Sequence, residues 1–359
     1  MQTVVSLYET MFGEREREIV TQGTFTASTF KFDSGVAAVR LRNEHGELVV
    51  LPFQGQQIWS ARMDGRSLGM KSMFDQPYPT TTYLHTYGGF FIHCGATRMG
   101  VPGSNDTHPL HGELPNARYQ QAWLTIGNDV NGDYIGISGH FRYTVAFQDN
   151  YVATPEIRLY ANKRIFTVCL SINNLKQTPM DLMYLAHINF RPVDHAQLIT
   201  SATNTPAQIK VRKSIPSHIT PAPGYKEFID ELASNPAPAN SLTPGLGFDP
   251  EVVFTIKPNS DSSGWAHSMQ RMPDGTADYV AHRPEQLPYC IRWISRTPDQ
   301  DCLGFSMPAT AEPEGYTAEK AKGNLQSIAG GSSWRCDFIV GTLDTQSAHT
   351  MQQKISSLQ

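Results

Sequence analysis

Apolar and polar residues alternate one by one in several segments of this chain, and a period of two is the pattern of a half-buried strand. In FRYTVAF (141–147), Phe141, Tyr143, Val145 and Phe147 fall on one face and Arg142 and Thr144 on the other. FTVCLSI (166–172) repeats the pattern with Phe166, Val168, Leu170 and Ile172, and WRCDFIV (334–340) supplies a third strand. Residues 36–53 place two β-prone runs either side of Asn43-Glu44-His45-Gly46, where the glycine is expected to supply a positive φ for a hairpin. Turn formers are frequent, with 28 Gly and 24 Pro among 359 residues, so an all-β chain is predicted. Helical signals are few; YKEFIDELA (225–233) carries Phe228, Ile229 and Leu232 at helical spacing and stops before Pro236.

These patterns predict a large antiparallel β-sandwich with few short helices, one domain over residues 1–359 with an N-terminal arm over 1–30. Residues of about 200–250 are rich in Pro, Ala, Ser, Asn and Thr, and strand patterning resumes at EVVFTIKP (251–258), so a flap or insertion is expected there. Lys and Arg number 29 against 33 Asp and Glu, a net charge of −4 that excludes a basic nucleic-acid binder. No apolar run of about 18 residues occurs, and the N-terminus leads into the charged segment GEREREIV (13–20). A cytoplasmic protein that engages neither membrane nor nucleic acid, monomeric or homodimeric, is the expectation. Five scattered cysteines without a CxxC pair imply buried thiols, with no disulfide framework and no thiolate zinc site.

Three stretches concentrate polar chemistry. Residues 90–120 hold His93, Arg98, His108, His111 and Glu113; residues 183–194 place His187 and Asn189 on one face of a strand; residues 287–316 carry Arg292, Glu312 and Glu314. Histidine titrates near neutrality and is the commonest proton-transfer side chain, so such clusters point to acid–base work, while a single histidine is as readily a hydrogen-bonded core residue. Tyr83, Tyr87, Phe90, Phe91, Trp265, Tyr289 and Trp293 lie near the same loops, and sugar C–H faces pack on such rings. Trp293 is read as core, which turns Arg292 toward the cleft.

Thr97-Arg98, then Leu110-His111-Gly112, then Ala186-His187-Ile188-Asn189-Phe190, then LPYCIRW (287–293) together resemble the aldose 1-epimerases, or galactose mutarotases, over roughly residues 35–345. The resemblance implies a galactose mutarotase-like supersandwich that interconverts anomers of a free sugar by general acid–base ring opening, without cofactor or metal. By that resemblance His187 protonates the ring oxygen, His111 donates to or orients the same oxygen, and Arg98 holds sugar hydroxyls; Asn189 and Arg292 are expected to line the same groove. The family's base is a glutamate in a Gly-x-Glu-Pro segment; here Gly304-Phe305-Ser306-Met307-Pro308 puts Met307 in its place. Glu113, Glu312 and Glu314 are the alternative bases. Two other readings follow: a non-catalytic sugar-binding or sensor protein, and a metal-dependent cupin-like isomerase using His108, His111 and His187 or Glu113. Nucleotide binding is not indicated, since no GxGxxG or phosphate loop occurs.

Overall fold

The computed structural model describes residues 2–215, 220–221 and 223–359, and in it the chain folds into two large antiparallel sheets that share one apolar interior. The nine-stranded sheet runs, neighbour to neighbour, Thr3–Leu7, Gln121–Asp129, Gly132–Val145, Asp149–Tyr160, Ile165–Asn174, Ser333–Leu343, Ala277–His282, Ala266–Arg271 and Gln197–Thr200. The thirteen-stranded sheet has at its centre Val252–Ile256, Tyr289–Arg296, Asp301–Ala309, Met180–Ile188, Phe91–Ala96 and Ile58–Met63. Helices are short: Tyr225–Ser234, Tyr316–Lys322 and Thr345–Ser356. Among the described residues no helix is long and apolar enough to cross a membrane.

The alternation in the sequence assigns faces. Phe166, Val168, Leu170 and Ile172 all enter the interior between the sheets, where each large apolar side chain contributes about 1.5–3 kcal/mol. On Met180–Ile188, Leu182, Tyr184, Ala186 and Ile188 face that interior, while Met183 and Leu185 point to the opposite face, where a second cluster forms with Ile92, Cys94, Ile291 and Met307. The candidate site stands on this second face. All five cysteines are buried free thiols.

Several expectations change at the level of the chain. The first thirty residues, expected as an arm, contribute Thr3–Leu7 to one sheet and Arg17–Gln22 and Phe25–Lys31 to the edge of the other. In the Pro-rich stretch of about 200–250, the Ile209–Val211 strand joins a sheet edge and the helix spans Tyr225–Ser234; residues 216–219 and 222 of that stretch lie outside the described residues. Phe147 does not continue its strand: it sits exposed at a hairpin tip with φ +66°. The hairpin after Arg42 is closed by Asn43, whose Oδ1 accepts the backbone N–H groups of His45 and Gly46 at 2.9 Å each. Gly46 is needed for close approach rather than for positive φ, since a Cβ there would lie 2.0 Å from the Arg62 carbonyl oxygen.

Candidate functional site

Two histidines from distant parts of the chain meet on the outer face of the larger sheet. His187 sits near the end of Met180–Ile188, opposite Ile92, and His111 arrives on a loop that is laced to Phe91–Ala96. That loop holds because Gly95 N–H donates to the His111 carbonyl at 2.9 Å and His111 N–H to the Gly100 carbonyl at 3.0 Å. Gly112 is obligatory beside it: its φ is +81°, and a Cβ would fall 2.1 Å from the Arg98 carbonyl oxygen. His111 itself has φ +60°, a conformation few non-glycine residues hold without support from their surroundings. The two imidazole rings stand edge to face, centroids 5.5 Å apart.

Aromatic rings wall this pair. Trp293 lies 5.4 Å from the His187 ring, Tyr87 5.9 Å from it, and Tyr83 4.9 Å from the His111 ring. Trp293 is fixed by its indole N–H, which donates to Glu251 Oε2 at 2.7 Å; the other oxygen of Glu251 pairs with Arg212. The floor is apolar and sulfur-rich, made by Ile92, Cys94, Met183, Leu185, Ile291 and Met307.

Hydrogen bonding sets the protonation of His187. Asn189 donates through Nδ2 to the Gly89 carbonyl at 2.9 Å, which turns its Oδ1 to His187 Nδ1 at 2.8 Å. An amide oxygen only accepts, so Nδ1 carries the proton and Nε2 keeps a bare lone pair. The side chain is 6% exposed, and burial pushes its pKa down to about 4, with the Asn189 bond opposing in part. His111 is likewise held far below the usual histidine range, first by burial and then by the neighbouring His187 and His108; its Nδ1 is buried with no partner. Both rings are therefore neutral at neutral pH.

The remaining sequence candidates divide. Arg98 is half-buried beside the loop, donating to the Thr97 carbonyl at 2.6 Å and stacking 3.7 Å above the Tyr316 ring. Asn189 is wholly buried and acts on His187 rather than lining open space. Arg292 and Trp293 exchange the places expected of them. Arg292 is 1% exposed and shares the interior face with Cys290 and Ile294, donating to Asn240 Oδ1 at 2.7 Å, while Trp293 lies on the outer face against the His187 ring. The strand presents the face opposite to the expected one, so Arg292, expected to line the sugar groove, lies in the interior instead.

None of the three candidate bases hydrogen-bonds to either histidine. Glu113 accepts from Thr97 N–H at 2.9 Å and from the Tyr151 hydroxyl at 2.7 Å. Glu312, Glu314 and Glu319 gather around the Lys322 ammonium at 2.6, 2.7 and 2.7 Å. That carboxylate trio is the one group among the described residues with a metal-compatible spacing, and the lysine occupies it. His108, His111 and His187 do not converge as a ligand set: His108 Nδ1 lies 2.8 Å from the Pro109 carbonyl oxygen, and its Nε2 accepts from Tyr316 N–H at 3.4 Å. Sequence reasoning missed Glu251, whose role rests on a partner 42 residues away, and Tyr316, which the Arg98 stack brings in.

Two antiparallel sheets of this order make the galactose mutarotase-like fold. The chain belongs to the family described as "Domain of unknown function (DUF4432)", which matches residues 33–341. No curated protein matches it. Among solved structures, a Klebsiella pneumoniae protein described as a "putative aldose 1-epimerase" is similar at 16% identity and a TM-score of 0.83, over 100% of this chain and 96% of that one. A galactose mutarotase-like protein from Clostridium acetobutylicum is similar at 12% identity and a TM-score of 0.57, over 92% and 98%. A galactose mutarotase related enzyme from Lactobacillus acidophilus follows at 14% identity and 0.51, over 86% and 98%.

Proposed function

We propose that the protein binds a free sugar, or a sugar derivative, against the His111–His187 pair and interconverts its anomers by acid–base ring opening. The observation that carries this reading is the bare Nε2 of a neutral His187 among aromatic rings. In this state His187 begins as a base, the reverse of the acid role its motif implies. Its Nε2 takes the proton from the anomeric hydroxyl as the bond from C1 to the ring oxygen breaks, and the imidazolium returns that proton to the ring oxygen. Both oxygens are bonded to C1, so one nitrogen reaches both. Rotation about C1–C2 and the reverse steps give the other anomer, with no atom gained or lost. A positioned acid–base group of this kind contributes about 10²–10⁴-fold. No carboxylate is required, which agrees with Met307 at the position where the resemblance calls for a glutamate.

NMR exchange spectroscopy on a panel of aldoses, uronic acids and sugar phosphates tests this. Faster anomer exchange for one sugar, abolished by His187→Ala, is the expected result. Ligand contact without faster exchange overturns catalysis and leaves a sugar-binding protein, the reading favoured by the apolar Met307 alone.

A further inference from the structure

A sizeable cavity lies elsewhere in the molecule. It is an open trough of about 530 Å³ on the outer face of the nine-stranded sheet, and it runs into a second hollow of about 260 Å³ through the shared residues Glu156, Cys169 and Arg335. The strand register shows how the sequence carves it. On the outward face, Thr125 lies beside Gly136, Ser138 beside Glu156, Thr154 beside Ser171, and Arg158 beside Thr167. Small residues thus repeat across four adjacent strands and leave a floor below the level of the longer side chains. Gly136 is fitted to it, since a Cβ there would stand 2.7 Å from Thr125 Oγ1.

Long polar side chains form the walls. Arg158 pairs with Asp129 at 2.8 Å and Glu156 at 2.9 Å, and Arg335 pairs with Asp337 at 2.8 Å. An indole stands at each end: Trp123 on Gln121–Asp129, and Trp265, over whose ring Arg283 lies at 4.4 Å, just before Ala266–Arg271. These strands are six steps apart in the sheet, and at about 4.8 Å per step the trough spans roughly 29 Å. Thr125 is 2% exposed and its hydroxyl has no partner, and Arg158 Nε is also buried without one. A buried donor with no partner is costly unless a ligand or water meets it.

We propose that this trough is a second carbohydrate site, which takes an extended, uncharged oligosaccharide across the strands. Indole platforms receive sugar C–H faces, and neighbouring guanidinium and carboxylate groups match the paired hydroxyls of a sugar ring as donors and acceptors. The interleaved charges compensate one another, which disfavours a strongly anionic chain. The site proposed around His187 is for one sugar unit, whereas the trough is for a chain and is independent of the catalytic reading.

Calorimetric titration of the full chain with cellohexaose, maltohexaose and xylohexaose tests the assignment. At least one is expected to bind, to bind His187→Ala equally well, and to lose tenfold or more with Trp265→Ala. Ser171→Trp adds bulk to the floor without removing a wall, and is expected to lose binding in a protein whose melting temperature is unchanged. The assignment is overturned if none of the three binds, if His187→Ala abolishes binding while both trough variants keep it, or if sedimentation shows a dimer that Ser171→Trp splits. Anomer exchange is measured on the same samples: unaltered exchange in the trough variants separates failure of this site from failure of the groove.

Discussion

His187 and His267 are both strand histidines and both nearly buried, yet the molecule treats their ring nitrogens differently. His267 lies on the other sheet with both nitrogens engaged, Nδ1 2.7 Å from the Tyr279 hydroxyl and Nε2 3.0 Å from Asp261 Oδ2. The same Asp261 oxygen also pairs with Lys354, so this histidine ties the strand to the C-terminal helix. His187 has one nitrogen engaged and the other bare among aromatic rings. A histidine whose two nitrogens are consumed by protein partners serves as a strut, and one that keeps a nitrogen free retains the capacity to act on a ligand.

The strongest way to break this contrast is to remove each ring. His187→Ala is expected to lower anomer exchange by about 10²–10⁴-fold with little change in the melting temperature. His267→Ala is expected to leave exchange intact and to cost about 1–3 kcal/mol of stability, because the Tyr279 hydroxyl and the Asp261 carboxylate lose a buried partner. Exchange that survives in the first variant, or is lost in the second while it stays folded, ends the distinction.

Acid should be the next largest effect. Burial lowers the pKa of His187 to about 4 and those of His93 and His282 to about 3, below the value near 6.5 of an unfolded chain. As pH falls the unfolded chain therefore binds protons first. Stability is full above about pH 6.5 and declines from there through pH 4 for His187 and through pH 3 for the other two, on the order of 3 kcal/mol or more per ring. Anomer exchange needs only neutral His187, so it should stay level down to about pH 5 and drop near pH 4. Thermal melts and exchange rates over pH 4–8 check both; a flat melting temperature would mean that these rings are hydrated.

A smaller effect sharpens the tautomer. Asn189→Leu removes the acceptor that holds the proton on Nδ1, and exchange is expected to slow about tenfold, or 1.4 kcal/mol, with the sugar's KM little changed. Imidazole ¹⁵N shifts report the tautomer directly: wild-type His187 should be protonated at Nδ1, and the variant should show a mixture. A wild-type ring protonated at Nε2 would remove the base from the proposed mechanism.

The strand faces were legible because alternation is local: Phe166 to Ile172 read correctly from spacing alone. His111 and His187 were legible as a pair only through their motifs, since 76 residues of chain separate them. Arg292 and Trp293 were misassigned for a physical reason: a run such as CIRWI carries apolar residues on both faces, so its period cannot say which face is interior, and a bulge opposite it shifts the register between Ile291 and Trp293. The three carboxylates could not be judged from sequence either. Their availability is decided by Tyr151 and Lys322, partners that the fold supplies.

Met307 gives the smallest expected change and tests the floor rather than the rings. Met307→Leu conserves volume and should cost less than about 1.5 kcal/mol, leaving exchange unaltered. Restoring the carboxylate of the resembling family by Met307→Glu should not raise exchange. The position is 2% exposed among Ile92, Cys94, Met183, Leu185 and Ile291, where a carboxyl group is driven to its protonated form and has no lone pair to spare as a base at neutral pH. A rise in exchange with Met307→Glu would show that the floor admits water and that base catalysis by a carboxylate remains open to this scaffold. A stable variant with unchanged exchange would leave the proton transfer to His187 alone.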